Sequence, residues 1–401
     1  MNDRSTLAPL RALEITPLWT EERELYFALY DPTRIASRPI AVSPVGYFVL
    51  TCLDGRHTCQ DVQNVFRRRF GLTLPAEQIE GLVAALDEAL MLDNERFARA
   101  YAACVDEYRS SAVRDNRARW PAPETLRAEI RSMLVAGRAE PTAAPAGLIA
   151  PHLDYARGGP CYADAYAALG RFAPAERYVI LGTNHFGRSD SVVATRKDFL
   201  TPLGLVRTDV GFIERLERRL GQSVCAGEFD HLAEHSVELQ VHILQVTHEQ
   251  QPFEIVPVLC PDPSGPSGTR PASGQGPDLG DFADALAAEL AADPRPTVLI
   301  ASADLSHVGQ RFGDPQPTTA EFLERVARSD QELLSLLTRR REEDFVHSVR
   351  VAGNPTRICS VGCIYTLLRA LPGHPVHLLR YHQAVDMAAE THVTCAAATV
   401  G

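Results

Sequence analysis

No stretch of this 401-residue chain is apolar for long enough to span a bilayer. The opening "MNDRSTLAPLRALEI" lacks the apolar core of a secretory signal. Positive charge is scarce: the formal net charge of -11 argues against a broad nucleic-acid-binding face. No cysteine pair has the C-x2-C spacing of a structural zinc site, and no H-E-x-x-H motif occurs. Internal repeats are also missing. These absences point to a cytoplasmic globular protein with no membrane or nucleic-acid partner. The nine cysteines are odd in number and scattered, which argues for free thiols rather than a disulfide framework. Most of them should pack as small buried hydrophobes, with one or two available as ligands. The length suggests two domains.

Residues 1–108 read as a small unit. "ELYFALYDP" alternates like a strand and stops at Asp31-Pro32. "SPVGYFVLTCLDG" predicts a helix closed by Gly55. "TCQDVQNVFRRRFG" predicts a second, with Thr58 and Asp61 spaced as a capping box and Gly71 past its end. "LPAEQIEGLVAALDEALML" predicts a third, with Ile79, Leu82, Val83, Leu86 and Leu90 on one face. Three short helices and a strand suggest a mainly α, winged-helix-like module. Arg67, Arg68 and Arg69 could meet an acidic partner, or simply form a solvated helix face.

Residues 109–146 read as a connector with one helix and a Pro/Ala tail. From 147 to 401, apolar runs alternate with helical patterns, which predicts an α/β sheet covered by helices on both faces. The Pro/Gly/Ser-rich stretch 261–280 cannot bury a core and is expected to be a mobile loop.

Three apolar runs lead into histidines: "GLIA" into His152, "RYVILG" into His185 and "TVLIASADLSH" into His307. Ligands of such sheets bind beyond the carboxyl ends of the strands, so parallel strands would gather these imidazoles at one edge. In "AEHSVELQVHILQ", a helix beginning at Glu234 and His235 would put His235, Glu238 and His242 on one face. "NPTRICSVGCIYTLL" places Cys359 just before an apolar helix, where a thiol's pKa falls and a thiolate ligand becomes plausible. Cys363, one turn on, is the alternative ligand. Asp154, two residues after His152, is positioned to orient it. The "ARGGP" stretch should turn the backbone before a helix begins at "YADAYAAL".

Two resemblances add to this reading. "LDGRHTCQDVQNVFRRRFG" followed by "LVAALDEALMLDNERF" resembles PqqD-type domains, which present peptides to radical-enzyme partners, and equally resembles generic winged helices. "APHLDYARGG", "ILGTNHFG", "EHSVELQ", "ASADLSHVGQRF" and "ICSVGCIYTLL" occur in order and resemble the Memo family. The match is to its bacterial branch, the AmmeMemoRadiSam system protein B, associated with radical SAM enzymes and AMMECR-type proteins. That resemblance implies a fold similar to the class III extradiol dioxygenases. It implies one metal on His152, His185 and Cys359, with His307 as acid or base and His235 and Glu234 lining the pocket. Imidazole and thiolate favour iron or copper, with zinc possible. Where many relatives follow the cysteine with Gly-Arg, this chain has Ser360 and Val361, which removes a pocket cation. The expected function is metal-dependent oxidoreductase chemistry. The alternatives are a zinc hydrolase, or a non-catalytic partner in a peptide- or protein-modification system.

Overall fold

The computed structural model describes residues 5–401 except 21, 37, 142 and 250. It divides into two compact units, the first ending at Ser110 and the second running from Ser111 to Gly401.

The first unit has a three-stranded antiparallel sheet of β1 (Glu14–Trp19), β2 (Leu25–Tyr30) and β3 (Ile40–Val42), with β2 central. Only the middle strand was legible in the sequence. Four helices follow: α1 (Pro44–Leu50), α2 (Cys59–Phe70), α3 (Ala76–Glu88) and α4 (Glu95–Ser110). α1 stops at Leu50, and the chain turns before reaching Gly55 at φ 79°. α2 carries the expected reciprocal cap between Thr58 and Asp61 and ends at Gly71 in the left-handed conformation. In α3, Ile79, Val83 and Leu86 are buried, whereas Leu90 lies beyond the helix at φ 60°. Inside the unit, the Arg11 guanidinium meets both oxygens of the fully buried Asp31 carboxylate at 3.1 Å.

The second unit is built on an eleven-stranded sheet flanked by helices. Its elements are β4 (Val113–Asp115), α5 (Pro123–Leu134), β5 (Gly147–Ala150), α6 (Tyr155–Leu169), β6 (Arg177–Thr183), β7 (Val193–Ala194), β8 (Asp198–Thr201), β9 (Gly204–Thr208), α7 (Val210–Leu220), α8 (Ser236–Thr247), β10 (Glu254–Cys260), α9 (Leu279–Ala292), β11 (Thr297–Ser302), β12 (Asp304–Val308), α10 (Ala320–Thr338), α11 (Glu342–Ala352), α12 (Val361–Ala370), β13 (Val376–Asp386) and β14 (Thr391–Val400). The main path runs β12-β14-β5-β11-β6-β10-β9-β8-β4. Strands β5, β11, β6, β10 and β9 are parallel, and β14 closes antiparallel on β5.

The runs "GLIA" and "RYVILGT" are buried at every position, because helices cover both faces of the strands. Alternation decides which face each side chain enters. Val179 and Leu181 join the core under α7, α9 and α12, while Tyr178 and Ile180 join the core under α5, α6 and α8. Each such fully buried side chain contributes about 1.5–3 kcal/mol.

Four sequence expectations change here. Residues 111–146 are not a free connector: β4 pairs with β8, and α5 packs its buried Leu126 and Ile130 into the second unit's core. The "ARGGP" stretch is not a turn. α6 already begins at Tyr155, capped by Asp154, and carries Pro160 inside it. The 261–280 stretch is tied down rather than loose. Ser273 donates twice to Asp190, Ser191 donates to the Pro277 carbonyl, and Arg350 donates to the Pro263 carbonyl. Finally, "TVLIASADLSH" is two strands: β11 stops at Ser302, and His307 sits on β12, which pairs with β14.

Candidate metal centre

Register sets the place of the site. Ala150 at the end of β5 lies beside Ser302 at the end of β11, and Ala301 lies beside Leu181 of β6. His152 and His185, just past these ends, and Asp304, which opens β12, are therefore brought to one edge.

His152 is buried, and its backbone N–H donates to Asp304 Oδ1 at 3.1 Å. Its Nδ1 lies 2.9 Å from the Ser302 carbonyl oxygen. A carbonyl only accepts, so Nδ1 is the donor and Nε2 is left for the site. That Nε2 lies 3.3 Å from Cys359 Sγ and 3.6 Å from Asp304 Oδ2.

His185 is fixed differently. Its Nδ1 lies 3.1 Å from both oxygens of Glu234, and its backbone N–H donates to Oε2 at 2.9 Å. The other Glu234 oxygen accepts the N–H groups of His235 and Ser236, both at 2.8 Å. One buried carboxylate thus gathers three backbone donors and one imidazole, which again leaves Nε2 free. The loop behind His185 wraps tightly on Asp230, which accepts from Asn184, Arg188 and Ser189. A Cβ at Gly187 would come within 2.3 Å of that carboxylate, so the turn requires glycine.

Cys359 comes from the loop before α12. Gly362 lets that helix approach, since a Cβ there would meet the Pro261 carbonyl oxygen at 2.0 Å. One ligand atom each from His152, His185 and Cys359 can be chosen so that all lie within 4.8 Å of one another, a spacing that can hold a metal ion. His185, Glu234 and His235 form an overlapping second group. The His152 and His185 ring centroids are 4.9 Å apart and nearly perpendicular, and the His235 ring stacks beside His185 at 5.2 Å.

Electrostatics suit a thiolate. Burial alone would raise the Cys359 pKa, but His152, His185 and His307 pull it well below the usual thiol range. Burial opposes charge on His152, yet Asp304 and the thiolate outweigh it and raise its pKa to about 9. Glu234 and the thiolate likewise outweigh burial at His185 and raise its pKa well above that of ordinary imidazole. At His235, burial wins over Glu234, the pKa falls to about 4, and the ring is neutral at pH 7.

Several sequence readings change at this level. Asp154 does not orient His152; it caps α6 and pairs with Arg157 at 2.6 Å. Asp304 takes that place. It is buried and had no signal beyond its position after an apolar strand, and burial pushes its carboxyl above the usual range. His307 stands outside the three-donor group, with Nδ1 facing its own strand's Leu305 carbonyl at 3.1 Å, although its charge acts on Cys359 and Asp304. Cys363 is turned away: its sulfur is 3.5 Å from the Thr183 hydroxyl and contacts the Cys260 thiol. α8 begins at Ser236, with His235 at the cap position. Of the three residues expected on one face, only His235 reaches the site. Glu238 pairs with Arg114 at 3.3 Å, and His242 packs edge-on against Trp120. Ser360, one of the two departures from the Memo pattern, accepts the Asp304 backbone N–H at 3.1 Å.

Comparison with known proteins points to one family. Residues 121–400 match the family model described as Memo-like protein. A MEMO1 family protein of Aquifex aeolicus (strain VF5) is 24% identical over 335 residues, covering 83% of each chain. One from Thermus thermophilus is 29% identical over 326 residues, covering 80% of this chain and 91% of the relative. One from Methanopyrus kandleri is 34% identical over 188 residues, covering 46% of this chain and 61% of the relative.

Proposed function

The chain belongs to the Memo-like protein family, and from that premise we propose that it binds one redox metal, iron or copper, for oxidoreductase chemistry resembling that of a dioxygenase. One observation carries this reading. Two imidazoles, each with Nδ1 held by an acceptor, present Nε2 beside a thiol whose surroundings favour the thiolate. This nitrogen and sulfur donor set fits iron, copper or zinc and does not suit magnesium or calcium. When bound, iron or copper would supply one-electron and dioxygen chemistry.

The chain's own residues do the rest. Ser302 and Glu234 orient the two rings. Asp304, beside His152 and raised by burial, can hold a proton at the site, and His307, three residues on along β12, is the proposed acid or base. His235, kept neutral by burial, lines the same pocket with its ring stacked beside His185.

The alternative with a specific observation behind it is zinc hydrolysis, since three protein donors also match catalytic zinc, which keeps an open position for water. Elemental analysis of anaerobically purified protein beside His152→Ala decides. Iron or copper near one per chain, lost in the variant, with oxygen uptake, supports the redox reading. Predominant zinc supports hydrolysis. Wild-type protein that takes up none of the three sinks both.

For partners, the resemblance supports a radical SAM enzyme and an AMMECR-type protein in the cytoplasm. The first unit is proposed as the docking module, with a peptide as its ligand. A cavity of about 420 Å³ beside edge strand β3, walled by Val42, Val49, Leu74, Ile79 and Leu82, supports that role. Deleting residues 1–108 should abolish capture of such a partner and leave metal content intact. Capture that survives the deletion rejects the docking role.

A further inference from the structure

Glu234 is anchored from a direction that the metal ligands do not explain. The chain entering the second unit runs as β4 into a short helical turn, and three of its side chains point at one loop. Arg114 Nε donates to the His231 carbonyl at 2.6 Å, and its Nη2 to the Glu234 carbonyl at 2.5 Å. Asn116 Nδ2 donates to the Leu232 carbonyl at 3.3 Å. Arg119 Nη1 donates to the Ala233 carbonyl at 3.0 Å. Four consecutive carbonyls, 231 to 234, are therefore held by one six-residue segment.

The grip is buried. The Arg114 side chain is 1% exposed, and its partner Glu238 is fully buried. The segment is itself secured: Lys197 Nζ donates to the Ser111 carbonyl, and the Asp198 N–H donates to the Ala112 carbonyl at 3.1 Å. A peptide loop has no side-chain rule of its own that would fix four carbonyls in a row, and a guanidinium fork with several fixed donors can.

We propose that residues 114–119 are a positioning strap for the metal centre: Arg114, Asn116 and Arg119 fix the 231–234 loop so that the Glu234 carboxylate holds His185 with Nε2 toward Cys359. The strap starts four residues past Ser110, where the first unit ends. The inference rests on the metal-site reading for its consequence, but not for its geometry, so the two can fail separately.

The test uses the full-length chain and two variants. Arg114→Lys keeps the charge opposite Glu238 and loses the fork. Asn116→Ala/Arg119→Ala keeps the Arg114–Glu238 pair, losing only the 3.3 Å hydrogen bond from Asn116 to Glu238, and decides the matter if Arg114→Lys fails to fold. The first readout needs no metal: the imidazole Nδ1–H proton of His185 in metal-free protein, assigned by its loss in His185→Ala. In a folded strap variant that signal should shift by about 1 ppm or broaden into solvent exchange. The second readout is cobalt(II) binding, with its sulfur charge-transfer and d–d bands. Affinity should fall about tenfold, at the low end for changes to groups that orient ligands, with an altered d–d envelope.

A folded variant with the wild-type Nδ1–H signal overturns the strap, whatever the cobalt result. A shifted signal in a wild type that binds no cobalt leaves the strap standing as the device that orients His185 and removes the metal reading instead. A merely stabilising role would lower the melting temperature and leave both spectra unchanged.

Discussion

The two imidazoles of the candidate centre are held by opposite means. His152 is held by the sheet: a main-chain carbonyl at the end of β11 fixes its ring, and Asp304 fixes its backbone. His185 is held by a loop, through one carboxylate that also ties down two further backbone N–H groups. Strand register sets the first arrangement, and its ring contact is to the main chain rather than to a side chain. The second depends on one residue. A site can thus be rigid on one side by virtue of hydrogen-bond ladders and tunable on the other by virtue of charge.

The largest expected effect lies outside that contrast, at the thiol both sides share. Cys359→Ala should lose stoichiometric metal, read by elemental analysis, whereas Cys363→Ala should keep it. Metal kept in Cys359→Ala and lost in Cys363→Ala would move the ligand to Cys363 and break the geometry described.

The contrast itself is tested by Glu234→Gln against Asp304→Asn. The first removes a carboxylate that four donors share and should weaken metal binding about 10- to 100-fold. The second leaves the Ser302 carbonyl in place and should cost less than about tenfold. Chelator competition measures both, and a reversed order would show that the sheet side is the tunable one.

The pH dependence sharpens the point. Metal must displace protons from His152 and His185, whose pKa values are raised, but not from Cys359, whose pKa is depressed. Affinity should therefore fall by about tenfold per pH unit below about 9 through His152, and more steeply once His185 also protonates below its own raised pKa. Calorimetry in buffers of different ionisation enthalpy should count protons released by imidazole only. A third proton would show that the thiol is protonated in the free protein.

The smallest effect is expected at Ser302→Ala. The ring contact uses the main-chain carbonyl, so metal content should not change. The lost bonds to the Ser236 carbonyl and Gln240 should cost about 1–3 kcal/mol of stability in denaturant titration.

The strands that end near His152 and His185 were legible because strands covered on both faces must be apolar at every position, and a sudden His after such a run stands out. The cap of α2 was legible for a similar reason: Thr58 and Asp61 satisfy each other locally. β1 and β3 were not, because their exposed or partly buried patterns carry little alternation. Asp304 was passed over since nothing local distinguishes a buried acid after a strand from a surface one. His307 was read as ending β11 because "ADLSH" continues the apolar run, whereas the chain breaks at Ala303 to pair with β14. Arg114 lay in a stretch read as connector, and its partners are 117 and 120 residues away.

What the sequence determined by itself was the alternation of strand and helix in the second unit, the cap of α2, and the donor types beside strand ends, all of which follow from local periodicity and local capping. Which donors meet was decided only by the tertiary structure. Parallel register brings β5, β6 and β11 to one edge, Glu234 reaches His185 from 49 residues away, and Cys359 reaches His152 from 207. Such partners are chosen by where chain segments pack, and no local rule of spacing encodes that choice.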